Sequence, residues 1–337
     1  MSLSSSTRLM SPEEIAVRAG EQLQFLRLPE PGLFAERALR LRRLAEGHAM
    51  RDYLLFIAEL AQAQHEALKE AVVLALPDAA QIEAAANAGR PLLPAQGWPR
   101  DPAWREGLRR LMRQLAARLA PGAARDTALA VAAAGDELLE TQAERLLGGV
   151  ALGLDLGMAP LIAAGLQLYW VRLLGQVQSA HGGDRLAPFG RTDDPTLCPC
   201  CGSRPTASIT RIGAEGSGQR YLSCSLCASL WHYVRIKCAH CQGTKGISLQ
   251  ALLAADAQGG AHGAAVQAEC CEGCGHYLKI VHMERDNQVE PMADDLASLT
   301  LDLLVAETGL QRHGVNLMLL FGDPEPTAAP PDPGGSS

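Results

Sequence analysis

The chain has 337 residues, of which 47% are apolar and 20% are charged, and its formal net charge is −7. This composition is ordinary for a globular protein, and the length is sufficient for two or three domains with real cores. The negative net charge argues against general binding to nucleic acid or to an anionic membrane surface.

The N-terminal sequence MSLSSSTRLMSPEE lacks the apolar stretch of a secretory signal, and we therefore expect no export. The most apolar region, residues 150–174, is interrupted by Asp155, Pro160, Gln167 and Arg172. A membrane-spanning helix tolerates few such residues, so this region predicts a buried helix and no stable membrane insertion.

The first half of the chain is rich in Ala, Leu and Arg, and its apolar residues recur at helical spacing. Residues 87–100 are rich in Pro and Gly and predict a loop. We therefore predict an all-helical bundle domain over residues 1–185. Its expected helices cover residues 33–47, 50–76, 101–119, 125–147 and 160–178.

All ten cysteines lie between Cys198 and Cys274. Such clustering, without a signal peptide, favours metal ligation in a reducing compartment over a disulfide framework. Two CxxC pairs make a closed tetrahedral site of four sulfurs, which suits zinc or a single iron, and redox dithiols are the alternative. The four CxxC pairs are Cys198/Cys201, Cys224/Cys227, Cys238/Cys241 and Cys271/Cys274.

The pairing of these motifs depends on the segments between them. ASLWHYVRIK (228–237) has no turn-forming residue, and we predict an unbroken strand there. Its ends would lie roughly 30 Å or more apart, too far to share one ion. GAEGSG (213–218) and DAQGG (256–260) instead predict hairpins that return the chain to its start. Pairs one and two are thus expected to form site 1, and pairs three and four site 2, with interleaved pairing as the alternative.

The motif HYVRI (232–236) is echoed by HYLKI (276–280), which indicates two copies of one unit. The predicted fold class is α+β: an N-terminal all-helical bundle, two tandem rubredoxin-like or zinc-ribbon β modules, and a C-terminal helix. The expected divisions after the bundle are a linker (186–197), the first module (198–237), the second module (238–285), the C-terminal helix with its segment (286–322), and a disordered tail (323–337).

Cys200 and Cys270 lie outside the CxxC pairs, and each is either a small buried side chain or a reactive thiol. His232, His240 and His276 are alternative ligands, but eight thiols already suffice for two sites. No nucleotide-binding, metalloprotease or serine-hydrolase motif is present, so we do not expect an enzyme.

Two other functions fit the cysteine pattern. One is a thiol-based redox or sulfur-handling enzyme that uses Cys200 or Cys270. The other is a zinc-ribbon protein that binds nucleic acid, which needs a basic, aromatic face. Residues 196–285 carry eight Lys and Arg against five Asp and Glu, an excess too small to favour a nucleic-acid partner.

The runs CPCCGSRP, YLSCSLCASLWHYVRIKCAHC, CCEGCGHYLK and MADDLASLTLDLLVAETG together resemble the FdhE family of formate dehydrogenase accessory proteins. The resemblance extends into the helical half through HAMRDYLLFIAELAQAQ and AAGLQLYW. It implies a cytoplasmic, non-catalytic protein that binds the catalytic subunit of formate dehydrogenase. It also implies two mononuclear metal ions, each held by four cysteines, with iron favoured and zinc as the alternative.

The same resemblance assigns ligand roles to all eight CxxC cysteines. Asp294 and Asp295 fall on the family's acidic pair, and we expect them to contribute to partner binding. Arg235 and Lys279, the cations of the two echoed motifs, are further candidates for partner binding, and near the sulfurs they would favour a reduced metal site.

Overall fold

The structure is a computed structural model. It describes residues 24–183, 186–212, 218–252 and 263–320. The expected turn residues 213–217 and 256–260 and the tail 323–337 lie outside the described residues.

The described residues form seven helices before the cysteine-rich region and two after it. They are α1 (Leu33–Leu44), α2 (Arg51–Leu68), α3 (Ala79–Asn87), α4 (Ala103–Arg118), α5 (Ala123–Ala133), α6 (Asp136–Gly148), α7 (Ala159–His181), α8 (Pro291–Ala297) and α9 (Leu299–Glu307).

Amphipathic spacing explains most of these helices. In α4, Trp104, Leu108, Leu111 and Leu115 lie on one buried face. Helix α7 differs because it is buried on nearly all sides over residues 159–174, as expected for the most apolar stretch of the chain. The predicted buried helix is thus confirmed for residues 159–174, whereas residues 150–158 are not helical and expose Val150, Leu152 and Leu156. None of the described helices is long and apolar enough to cross a membrane.

Two predicted helices are each broken in two. The helix expected over residues 125–147 is interrupted at Ala134 and Gly135, whose extended backbone separates α5 from α6. The single C-terminal helix expected within residues 286–322 is interrupted at Ser298, between α8 and α9. A single glycine or serine within a periodic pattern was too weak a signal to place these breaks.

The strands of the described residues form one sheet in the order β1-β4-β3-β2-β7-β6-β5, with β8 paired to β7. They are β1 (Leu26–Arg27), β2 (Pro205–Arg211), β3 (Gln219–Cys224), β4 (Leu230–His232), β5 (Ile247–Gln250), β6 (Val266–Cys271), β7 (His276–His282) and β8 (Gln311–Arg312).

Each module contributes three antiparallel strands, β2-β3-β4 and β5-β6-β7. The two modules are joined edge to edge, because β2 pairs in parallel with β7 from Ser208↔Ile280 to Thr210↔His282. At the outer edge of the first module, β1 pairs with β4 through Leu26↔Trp231. Leu26–Arg27, before α1, therefore belong to the sheet, which the sequence pattern did not predict.

The main hydrophobic core extends from the helices into the first module. It contains α7 residues such as Trp170 together with Cys198, Cys227 and Trp231. A smaller core in the second module packs Cys270 and Tyr277 against α9. Site 1 thus lies within the core that the helices share with the sheet.

His282 provides a test of the parallel pairing between β2 and β7. Burial, with a smaller effect from Arg285, lowers the pKa of His282 to about 4. Because the unfolded chain binds this proton at a higher pH, stability is complete above about pH 6.5 and falls as pH falls toward 4, by up to about 3 kcal/mol. In melts across this range, His282→Gln should flatten the pH dependence. Equal slopes for wild type and His282→Gln would contradict the assignment.

Candidate metal centres

All four CxxC motifs adopt the same tight turn. The residue after the second cysteine has a left-handed backbone in each case, with φ of 72° at Gly202, 57° at Ala228, 62° at Gln242 and 70° at Gly275. Ala228 and Gln242 are the non-glycine residues with positive φ in the described part of the chain. Side chains rarely adopt this conformation, so its repetition indicates that the turn geometry is constrained by the thiols.

Backbone N–H groups in these turns point at sulfur atoms. Leu226 and Cys227 donate to Cys224 Sγ, and His240 donates to Cys238 Sγ, all at 3.4 Å. Gly243 donates to Cys241 Sγ at the same distance. Such bonds favour the thiolate over the thiol, as a metal ligand requires.

In site 1, Cys198, Cys201, Cys224 and Cys227 converge. Their sulfur atoms lie within 4.8 Å of one another, with Cys198–Cys227 at 3.5 Å and Cys201–Cys224 at 3.4 Å. Four sulfurs around an ion at about 2.3 Å would be separated by about 3.8 Å. The cluster therefore fits one tetrahedrally bound ion after a small expansion.

Site 1 is enclosed by the helical domain. Its four cysteines are at most 4% exposed. The backbone N–H groups of Leu93 and Ala95 donate to the carbonyl oxygens of Cys200 and Cys201 at 3.0 and 2.8 Å, and Gln167 of α7 donates to Ser225 at 2.8 Å. The two CxxC turns of site 1 are thus hydrogen-bonded to the loop after α3 and to α7.

Burial raises the pKa of the Cys198 and Cys224 thiols well above the usual value. Without a cation these two thiols are therefore protonated at neutral pH. Binding of a metal ion would require their deprotonation, which couples occupancy of site 1 to proton release.

Site 2 groups Cys238, Cys241, Cys271 and Cys274 within the same 4.8 Å limit. The Cys238–Cys274 and Cys241–Cys271 sulfur distances are 3.7 and 3.8 Å, close to the tetrahedral value of about 3.8 Å. In contrast to site 1, Cys241 is exposed and Cys274 is half-buried. Each module can therefore hold one ion, and only site 2 opens to solvent.

The sulfurs are grouped in sequential pairs rather than interleaved pairs, but the predicted reason was wrong. Residues 228–237 do not form an unbroken strand, because β4 covers only Leu230–His232. Arg220, which is 1% exposed, gathers the carbonyl oxygens of Val234, Arg235 and Lys237 and bends the chain into a loop. The hairpin pairing of β3 with β4, not strand length, separates the two sites.

Neither cysteine outside the CxxC pairs is accessible. Cys200 is fully buried beside site 1, and Cys270 is 1% exposed in the second core. Burial raises the pKa of Cys200 well above its usual value and that of Cys270 to about 11. A nucleophilic thiolate needs the opposite environment, which argues against a thiol enzyme using either residue.

The structure corrects the expected partner-binding role of three residues. Asp294, Asp295 and Lys279 are each 2% exposed. Asp294 pairs with Arg40 of α1 at 2.5 Å, and Lys279 pairs with Asp295 at 3.1 Å. Arg312 pairs with Asp295 at 2.6 Å. These side chains hold the C-terminal helices against α1 and the sheet and offer no surface to a partner.

Arg235 lies at the surface in the junction loop, which we define as residues 233–237. Its side chain is 57% exposed and lies 3.9 Å from Glu284. Val234 and Ile236 beside it are 54% and 67% exposed. The junction loop therefore presents two apolar side chains and one cation on a backbone held in place by Arg220.

Three histidines adjoin site 2. The His240 and His276 rings stack at 3.9 Å, and a nitrogen of each lies within 4.8 Å of Cys274 Sγ. His313 meets His240 edge-on at 5.0 Å. Burial lowers the pKa of His313 to about 4 and that of His240 in the same direction. The sequence pattern contained His240 and His276 but could not place them side by side, and His313 was not considered.

A helical domain joined to two zinc-ribbon-like modules, each with four clustered thiols, defines a class of proteins with paired four-cysteine sites. Family models for the N-terminal, central and C-terminal domains of FdhE match residues 23–182, 197–235 and 236–319. The chain belongs to the FdhE family.

Individual relatives agree with this assignment. A protein FdhE homolog from Cronobacter sakazakii is 38% identical over 293 residues, covering 87% of this chain and 90% of the relative. One from Pseudomonas aeruginosa is 38% identical over 325 residues, covering 94% and 99%. The crystal structure of the FdhE protein from Pseudomonas aeruginosa matches with a TM-score of 0.74 and 35% identity, covering 88% of this chain and 99% of that one. The expected family and fold class are confirmed.

The left-handed backbone after each CxxC pair predicts how substitutions at these positions change the stability of the protein. A Cβ at Gly275 would meet nothing within 4 Å, so Gly275→Ala adds backbone strain without a steric clash and should cost about 1 kcal/mol. Gln242→Gly relieves strain at the equivalent turn and should be neutral or stabilising. Gly107→Ala in α4, also free of contacts, is the control and should be slightly stabilising. Denaturant melts measure all three, and equal effects of the two alanine variants would contradict the strain assignment.

Proposed function

We propose that this protein is a cytoplasmic metal-binding accessory protein needed to form active formate dehydrogenase, and that it acts by binding the catalytic subunit of that enzyme. The observation that carries the proposal is the pair of four-cysteine clusters at near-tetrahedral spacing in a member of the FdhE family. The protein itself is proposed to be non-catalytic.

We assign metal-ligand roles to Cys198, Cys201, Cys224 and Cys227 in site 1 and to Cys238, Cys241, Cys271 and Cys274 in site 2, with one mononuclear ion per site. Iron is favoured, and zinc is the alternative, because a site of four thiolates accepts both. Support comes from the sulfur separations and from the N–H groups directed at the sulfurs.

The surroundings of the two sites support different roles. Site 1 is enclosed in the main core, where an ion would hold the first module against the helical domain. Site 2 lies at the surface, with one exposed and one half-buried ligand. We therefore assign a structural role to the ion of site 1, and we propose that the ion of site 2 can exchange with solvent.

We propose that the catalytic subunit of formate dehydrogenase binds to the junction loop. Val234 and Ile236 give adjacent exposed apolar contacts, and Arg235 provides a cation for a carboxylate of the catalytic subunit. Arg220 holds the loop backbone through three carbonyl groups, so little conformational entropy would be lost on binding.

The metal assignment predicts different consequences for the two sites. Wild-type protein should hold two ions per chain; iron would give a red colour that bleaches on reduction, and zinc would leave the protein colourless. Cys271→Ser/Cys274→Ser should lose one ion with a small change in melting temperature, because site 2 is peripheral. Cys224→Ser/Cys227→Ser should lower the melting temperature much more, because site 1 lies in the main core. Metal analysis finding no bound metal, or equal melting shifts for the two variants, would contradict this division.

The docking assignment is tested with purified formate dehydrogenase catalytic subunit. Val234→Ser/Ile236→Ser should weaken its binding by about tenfold or more, equivalent to about 1.4 kcal/mol, with metal content and melting temperature unchanged. Val73→Ser/Leu152→Ser replaces two apolar residues of the helical domain that are more exposed than Val234 and Ile236, and it serves as the control. If the wild-type chain does not bind the catalytic subunit, the proposed accessory function is wrong. If both variants bind it equally well, only the assignment of the junction loop as the docking surface is wrong.

A further inference from the structure

The two modules place different side chains at equivalent positions around their CxxC turns. The residue before the second cysteine is Cys200 in the first pair and His240 in the third. The residue after the left-handed position is Ser229 in the second pair and His276 in the fourth. In the first module Ser229 is fully buried and its hydroxyl lies 3.3 Å from Cys227 Sγ. In the second module both positions carry imidazoles beside Cys274.

The hydrogen bond of His276 determines which nitrogen is free to bind a cation. Its Nδ1 lies 2.8 Å from the carbonyl oxygen of Cys274. A carbonyl oxygen can only accept, so Nδ1 carries the proton and, in the neutral ring, Nε2 carries the lone pair. A backbone carbonyl that orients a histidine in this way is a frequent feature of metal-ligating imidazoles.

His313 provides an independent observation at the same place. It is 6% exposed, its ring packs against His240, and its Nε2 has no hydrogen-bond partner among the described residues. A buried nitrogen without a partner is uncommon in a native structure and indicates an absent polar neighbour, such as an ion or its bound water. The three rings therefore form a polar cluster beside Cys274 of site 2.

We propose that His240, His276 and Cys274 form a second cation-binding set that loads site 2 with a divalent metal. Two imidazoles and one thiolate suit a borderline cation such as Zn²⁺, Co²⁺ or Fe²⁺. His240 is exposed and Cys274 belongs to both sets, so a cation taken up from solvent reaches the four-thiol site without leaving Cys274.

The transfer is a balanced ligand exchange. The two imidazoles and one bound water would release the cation, the thiols of Cys238, Cys241 and Cys271 would lose their protons to solvent, and three metal–sulfur bonds would replace two metal–nitrogen bonds and one metal–water bond. No electron transfer is required. This inference rests on the proposed metal binding at site 2, and it explains why the second module carries imidazoles where the first has a buried thiol and a hydroxyl.

The cation-binding set can be tested in isolation with Co²⁺, whose visible spectrum reports its ligands. Cys238→Ser/Cys241→Ser removes two thiols of site 2 but leaves His240, His276 and Cys274 in place. This variant should still bind a second Co²⁺, and adding His240→Phe/His276→Phe should weaken that binding by about tenfold or more. Cys271→Ser/Cys274→Ser, which destroys both sets, should bind only the ion of site 1. Second-ion binding that is unaffected by the phenylalanines would overturn the proposal.

Loading is tested with all cysteines intact, which also covers a failure of the serine variants to fold. His240→Phe/His276→Phe should still take up two Co²⁺ per chain, but uptake of the second should slow by about tenfold or more. His181→Phe, at the end of α7 and outside both cysteine clusters, should leave both rates unchanged. Uptake at the wild-type rate in the histidine variant would refute the loading role alone. If wild-type protein takes up no second Co²⁺, metal binding at site 2 fails and the loading set fails with it.

Discussion

Two backbone hydrogen bonds determine how the cysteine modules sit on the helices. Leu93 and Ala95 donate to the carbonyl oxygens of Cys200 and Cys201, and Trp170 of α7 in turn donates to Leu93 at 3.1 Å. The first CxxC turn is thereby bonded to a loop that is itself bonded to the central helix. Because these groups are buried, leaving any of them without a partner would cost about 1–3 kcal/mol. The position of the whole sheet follows from this attachment, since β2 begins four residues after Cys201.

The C-terminal acidic pair provides the second attachment. Asp294 and Asp295 are adjacent on the short helix α8, yet they pair in different directions, Asp294 with Arg40 of α1 and Asp295 with Lys279 of β7 and Arg312 of β8. Buried ion pairs add little net stability, but removing one partner costs about 3–5 kcal/mol. The pair therefore acts chiefly to select one arrangement of α1, α8 and the second module. An acidic pair in a sequence favours a surface role, and only the long-range partners reveal the internal one.

Local signals were sufficient to predict the fold class, the buried helix α7 and the grouping of the cysteines. Periodicity and CxxC spacing act over a few residues, so they are readable without an alignment. The parallel pairing of β2 with β7 depends on residues roughly 70 positions apart, such as Thr210 and His282, and no local pattern encodes it. The junction loop was misread because its β-prone residues are overridden by Arg220, a tertiary contact from β3. The role of Asp295 failed for the same reason.

Arg220 also connects the junction loop to site 2. One terminal nitrogen holds the loop carbonyls, and the other pairs at 2.9 Å with Glu269 of β6, two residues before Cys271. The loop itself leads directly into Cys238. The guanidinium of Arg220 thus contacts both segments that carry the cysteines of site 2. The junction loop leads into Cys238 and Cys241, and β6 leads into Cys271 and Cys274. Since the side chain of Arg220 is fully buried, displacing the loop would leave its charge without several of its acceptors. The exposed loop and the open four-cysteine cluster of site 2 therefore share a rigid element, whereas the cluster of site 1 is fixed by the helices. Identical CxxC turns thus acquire different properties from the side chains that surround them.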